Sequence, residues 1–330
     1  MKPSRIAVLI VVVLLLAAGA YTGYWFIAAS RLHAGLEKWA AARRSQGYTL
    51  QWSRESVDGY PFRFRIALAD ASIARGNSYR IAVPEIAGEA SPWDATHWQV
   101  TAPRGGSGTA QGIAADVTAR SLTGDVTLAD DATDIEVSIL QLAGAGATAG
   151  QLTAHFTLPR WAPRSDRDLG LAATVQLYHL VLPKPVTALG DAIENVAVDL
   201  KIMGGLPPGD WRQSLAAWRD AGGNVQIERA NLQWGALRLE ADGTLALDRD
   251  MQPIAALSAS IVDYAALIDA AVAAGIMPKK NAALVKLVLN LLAKRGADGQ
   301  MRLTAPVTVQ NGTLAIGRAE IGKLPPIDWR

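Results

Sequence analysis

Phe62-Arg63-Phe64-Arg65-Ile66-Ala67-Leu68-Ala69 is the stretch that decides the fold class. Large apolar residues take the even positions, and arginine or alanine the odd ones. A repeat of two is the period at which a strand sends successive side chains to opposite faces, so this segment reads as a strand with one buried and one wet face. Downstream, Tyr79, Ile81 and Val83 repeat the alternation and stop at Pro84. Further strand candidates cover residues 98–102, 113–119, 125–129, 135–142, 152–158, 171–181 and 193–203. Turn signals separate them at Gly76-Asn77, Gly105-Gly106, Gly124-Asp125, Asp130-Asp131 and Gly144 to Gly146. Closely spaced strands with few helices between them imply a β-dominated (α+β) chain built on a long antiparallel, curved or self-folded sheet.

Helical periodicity returns in three places. Residues 210–221 carry Trp211, Leu215 and Trp218 and close on Gly222-Gly223. Residues 262–274 are apolar and rich in small side chains. The third has Asn281 as its cap, a stripe of Leu284, Leu287, Val288, Leu291 and Leu292, and Gly296 as its end. Between the first two helices, residues 232–241 are expected to turn near Asp242-Gly243 into a strand at 244–248. After the third, residues 300–309 and 313–321 form a closing hairpin on Asn311-Gly312, a strong two-residue turn signal.

The N-terminus follows a different pattern. Lys2 and Arg5 precede an uncharged run at residues 6–29, and roughly 20 such residues suffice to cross a bilayer. Tyr21, Tyr24, Trp25 and Phe26 gather near its far end, where aromatic rings favour the interface. A short basic tail before such a run favours an N-in orientation, which sends the following domain across the membrane. The resulting division is a membrane anchor at 1–29, a juxtamembrane helix at 30–47 and an extracytoplasmic β-rich domain at 48–330. A second reading stands beside it: Ala18-Gly19-Ala20 has the small-x-small form of a signal cleavage site, which would release the chain after Ala20. The juxtamembrane helix carries Leu32, Leu36 and Trp39 on one face, and either lies against headgroups or packs on the sheet.

Composition narrows the function classes. Half of the 330 residues are hydrophobic, which excludes a disordered chain, and 32 basic against 30 acidic residues leave no field to attract nucleic acid. The chain has no cysteine, so disulfides, thiolate metal sites and cysteine nucleophiles are excluded together. His33, His97, His155 and His179 stand apart from one another, and His155 shares a polar phase with Thr153 and Thr157. Asp130, Asp131, Asp134 and Glu136 lack the glycine-bend spacing of a calcium loop and read as an exposed hairpin tip. There is no phosphate-binding glycine loop and no nucleophile elbow. No catalytic, cofactor or metal residue is nominated, and the expectation is a protein that is not an enzyme.

Several segments carry a resemblance. Gly59-Tyr60-Pro61-Phe62-Arg63-Phe64, Trp218 with Gly222-Gly223, Gln233-Trp234-Gly235, the run from Gly243 to Asp248 with Pro253, and Asn311-Gly312 through Leu324-Pro325-Pro326 resemble a family of uncharacterised membrane-anchored bacterial envelope proteins. The likeness extends over most of residues 36–328. More loosely, the layout is similar to AsmA-type envelope proteins, which implies lipid handling along an apolar β-groove. On the residues themselves, Gly59-Tyr60-Pro61 reads as a turn launching a strand, and Gly222-Gly223 as a helix exit through positive φ. The expected location is the bacterial inner membrane, single-pass, with the main domain in the periplasm. The expected partners are the membrane itself, lipid or other envelope proteins. An apolar sheet face can be closed by a dry core or by acyl chains at the same roughly 25 cal/mol per Å², so burial energy alone does not choose between a lipid binder and an assembly factor.

Overall fold

The computed structural model describes residues 3–76, 79–110, 117–186, 189–207, 211–275, 277–295 and 299–327, with the side chains of residues 3–11 and 110 left aside. Strand dominates, and the paired strands are antiparallel, as the alternation predicts. By contacts the chain divides into two compact units, Met1–Thr127 and Leu128–Arg330.

The first unit begins with α1, a single helix over Pro3–Ser45, so the apolar run and the juxtamembrane helix are one element. It is long and apolar enough to cross a membrane, and Val12 to Leu16 are exposed. Gly47, at φ 84°, ends it. The strands that follow are β1 (Tyr48–Gln51), β2 (Arg54–Asp58), β3 (Phe64–Arg75), β4 (Tyr79–Ser91), β5 (Asp94–Ala102), β6 (Gly106–Ala110) and β7 (Val117–Leu128). β1 and β2 share one edge of β3, and β4 takes the other. β5 and β6 then share the far edge of β4, and β7 pairs with both. At the break between β5 and β6, a Cβ on Gly105 would stand 1.8 Å from the Ala119 carbonyl oxygen, so only glycine fits.

Three expectations for this unit change. Phe62 does not belong to the strand: its N–H and that of Arg63 donate to the Gly59 carbonyl at 3.1 and 2.9 Å, closing a turn that leaves Phe62 69% exposed. Pro84 does not end β4, which runs through it to Ser91. Opposite Pro84 the ladder skips Asp70, at φ 50°, so the missing proline N–H breaks no pairing there. The two segments expected around Gly124-Asp125 are one strand, β7, in which Gly124 lies opposite Val100; residues 113–116 lie outside the described residues.

The second unit contains β8 (Ala132–Gly144), β9 (Ala147–Pro159), β10 (Leu169–Val186), β11 (Gly190–Met203), α2 (Trp211–Asp220), β12 (Asn224–Trp234), β13 (Leu237–Leu247) and β14 (Pro253–Val262). It closes with α3 (Tyr264–Ala273), α4 (Lys279–Leu292), β15 (Lys294–Arg295), β16 (Met301–Gln310), β17 (Thr313–Ile316) and β18 (Ala319–Lys323). From β8 to β14 each strand pairs with the next, and β14 continues to β16, β17 and β18. The Asn311-Gly312 turn is present, at φ 52° and 70°. The other expected turn is not: Asp242-Gly243 lies inside β13, and the chain reverses at Gly235 instead. Gly243 is there because its φ is 144° and a Cβ would meet the Ala256 carbonyl oxygen at 2.3 Å.

Register aligns the apolar residues of this unit into rows across the strands. One row runs Ile139, Leu152, Leu177, Val196, Leu232, Leu239, Ile261 and Leu303. A second runs from Val137 through Ala154, Val175 and Val198 to Ala259, and a third from Ile135 through Phe156, Ala173 and Leu200 to Leu257. The opposite face is polar, with Thr157 Oγ1 donating to Asp134 at 2.7 Å. α3 and α4 cover the β13–β18 end and bury Leu237, Ile261, Ile268, Leu289 and Leu303.

The leucine stripe of α4 is turned the other way from the expectation. Val285 and Leu289 point into the core, whereas Leu284, Leu287 and Leu291 are exposed, Leu291 at 79%. The helix starts at Lys279, so Asn281 lies inside it rather than capping it, and Gly296 is outside the described residues. At the rim of the α3–α4 contact, Tyr264 and Asp269 of α3 bond Asn290 (2.5 Å) and Lys286 (2.6 Å) of α4.

At the end of α2, Trp218 is buried, donates its Nε1–H to the Met203 carbonyl at 2.8 Å and lies where a Gly223 Cβ would be, 2.3 Å away. Gly223→Ala is therefore expected to lower stability by about 1–3 kcal/mol in chemical denaturation. In the same assay Leu289→Ala should cost about 2–5 kcal/mol, while Leu291→Ala stays within about 0.5 kcal/mol.

Candidate functional site

In the first unit two features follow from how α1 meets the sheet. The upper one is an aromatic dock. Trp25 is buried, stacks on Phe64 with ring centroids 5.6 Å apart, and donates Nε1–H to the Arg63 carbonyl at 3.0 Å. Tyr24 donates its hydroxyl to the Pro92 carbonyl at 2.8 Å, Thr22 Oγ1 lies 2.7 Å from the Tyr60 hydroxyl, and Tyr21 bonds the Pro61 carbonyl. Two turns beyond Trp25, His33 Nδ1 is 2.6 Å from Glu55 Oε1. The aromatics expected only at a bilayer interface thus also clamp the helix to two loops, at residues 59–63 and 91–94. The second loop is held by Asp94, which accepts from the Thr96 hydroxyl at 2.6 Å and its N–H at 3.1 Å, and these two bonds keep its pKa below the usual carboxylate range.

The lower feature is an apolar groove of about 320 Å³. α1 contributes Trp39, β1 contributes Leu50, β3 Leu68 and Ile73, β4 Ile81, Val83 and Ile86, and β7 Leu122. Residues 30–45 of α1 therefore pack on the sheet, and Trp39 stays 45% exposed at the groove. Leu68 and Ile86 are even-numbered, Ile73, Ile81 and Val83 odd. A strict alternation would put them on opposite faces. The irregularity at Asp70 and Pro84 reverses the phase, so both halves of β3 and β4 face one groove. Trp52 also lines it, with the Arg44 guanidinium 5.3 Å above its ring.

In the second unit, β8 to β11 carry the same apolar rows as β12 to β16. Here most of the side chains are half-buried: Ile135, Val137, Ile139, Leu152, Phe156, Val175 and Leu177 all retain exposure. The fully buried strand residues of the cluster under α3 and α4 come from β13 onward, with Val186 at the end of β10 packed against it.

The titratable residues are dispersed. His97 sits by Thr127 (3.2 Å) and Asp125 (3.5 Å), His155 by Asp134 (3.4 Å) on the polar face, and His179 is exposed. Asp130 and Asp131 form an exposed hairpin tip. Among the described residues no group of three or more His, Asp or Glu is placed to hold a metal ion. The groove escaped sequence reading because its walls come from four separated strands and a helix; the phase change between Leu68 and Ile73 was its one local signal.

Residues 25–325 match a family described as an uncharacterized protein conserved in bacteria (DUF2125). The search of curated proteins and the search of solved structures return no match for the chain.

Trp25 is the side chain that joins helix to sheet. Trp25→Ala should destabilise the first unit by about 3–5 kcal/mol, whereas Trp25→Phe keeps the stack on Phe64, loses one hydrogen bond and costs about 1 kcal/mol. Thermal unfolding of the full chain in micelles measures both.

Proposed function

Given that the chain belongs to this bacterial family, we propose that it is a non-enzymatic lipid-handling protein of the cell envelope. α1 anchors it in the inner membrane with a single span, its basic N-terminal tail inside, and the β-rich remainder lies in the periplasm. The observation that carries the reading is the groove beside Trp39. It is open, almost wholly apolar in its lining, and borders the segment that follows the span. Each methylene buried there gains about 0.8 kcal/mol, so a short length of acyl chain suffices for measurable binding. Arg44, over the Trp52 ring and 3.8 Å from Glu37, stands at the same place. The half-buried rows on β8 to β11 supply more apolar surface of the kind an acyl chain takes.

A second reading, an assembly factor for envelope components, is favoured by a different observation. Leu284, Leu287 and Leu291 are exposed along one face of α4, and a row of leucines on an amphipathic helix is a frequent protein-docking surface.

A photoreactive benzoylphenylalanine at Ile81, which is 47% exposed, separates the two. In intact cells the lipid-handling reading expects phospholipid adducts at Ile81 by mass spectrometry, well above those at Arg80, its exposed neighbour on the other face. Equal labelling at both positions removes this reading. Protein adducts at Leu287, with no lipid at Ile81, establish the second.

A further inference from the structure

Phe62 and Trp93 are 69% and 73% exposed, among the most exposed large side chains of the first unit, and each lies on one of the two loops clamped to α1. Tyr60, 48% exposed, stands beside Phe62 and packs against Phe26 with ring centroids 5.9 Å apart. The clamps place both loops at the height of Tyr21 to Trp25. The apolar run of α1 continues to residue 29. At 1.5 Å per residue, the loops therefore lie about 6–12 Å to the membrane side of the last uncharged residue of the span. Large aromatic side chains are unfavourable in water and favourable at the boundary between headgroups and acyl chains. We infer that the loops carrying Tyr60, Phe62 and Trp93 are inserted into the outer headgroup–acyl boundary of the same bilayer that α1 crosses, making the first unit a surface-embedded platform rather than a domain hanging from a tether.

The occupant follows from continuity with the span: the hydrogen bonds from Thr22 and Tyr24 hold these loops against the helix inside its apolar length. The chemistry of the surface agrees. Beside the exposed aromatics the charged groups are bonded, Arg63 to Glu89 at 2.9 Å and Asp94 to the Thr96 hydroxyl at 2.6 Å. The inference rests on the anchored reading above but not on lipid entering the groove.

The absence of cysteine makes the test direct. Single-cysteine variants Phe62→Cys, Trp93→Cys and Thr109→Cys of the full chain would be spin-labelled in phosphatidylethanolamine–phosphatidylglycerol vesicles. Thr109 is exposed and pairs with Arg80, eleven residues along β4 from Ser91, or about 37 Å. Accessibility to oxygen against a water-soluble nickel chelate reports depth. The expected result is a several-fold higher oxygen-to-nickel ratio at Phe62 and Trp93 than at Thr109. An integral chain with the same ratio at all three sites overturns the inference and leaves the anchor standing. Labels at Phe62 and Trp93 shielded from both reagents, with crosslinked pairs of chains, overturn it in favour of a second copy. A chain washed from the vesicles by alkaline carbonate overturns both the inference and the anchored reading.

Discussion

An antiparallel sheet whose alternate residues are apolar presents one face that water disfavours, and everything else in this protein is arranged around how that face is covered. In the second unit, α3 and α4 press on β13, β16 and β18, and the rows of leucine, isoleucine and alanine beneath them reach full burial at Leu237, Leu289 and Leu303. The same rows continue into β8 to β11 with side chains only half-buried. In the first unit, α1 takes the covering role. It closes the sheet tightly at Trp25, Ala29 and Phe64, and less so at Trp39, where the groove remains.

This uneven covering ties stability to the proposed activity. Full burial under helices supplies the hydrophobic contribution that a cysteine-free chain of this length needs. The regions left half-buried are those where an added apolar molecule gains most, because apolar area still in water is what its binding removes. The clamp of Tyr21, Thr22, Tyr24 and Trp25 onto the 59–63 and 91–94 loops makes helix and sheet one body at the point where the apolar run ends. A helix able to span a bilayer and the groove beside it thus belong to a single unit. The motif residues Gly59, Tyr60 and Pro61 belong to that clamp, and Trp218 with Gly223 to an equally tight helix–strand junction in the second unit.

The amino-acid sequence by itself determined what depends on near neighbours along the chain. The period of two defines the strands, Asn311-Gly312 defines a reversal, Gly47 and Gly222 end helices at positive φ, and the uncharged run from residue 6 to 29 defines a helix long enough for a membrane. Only the tertiary structure decided which way an amphipathic element faces and which glycine turns. α4 could bury either side of its leucine pattern, and its packing on α3 and the sheet buries Val285 and Leu289. Gly243 carries a turn signal but serves close approach to the Ala256 carbonyl, while Gly235 makes the turn. The groove is of the same kind: the phase change at Asp70 and Pro84 is visible in the chain, but only the pairing of β3 with β4 brings Leu68, Ile73, Ile81 and Ile86 together. Alternation specifies that a residue has a face; the pairing partner across the ladder specifies what that face meets.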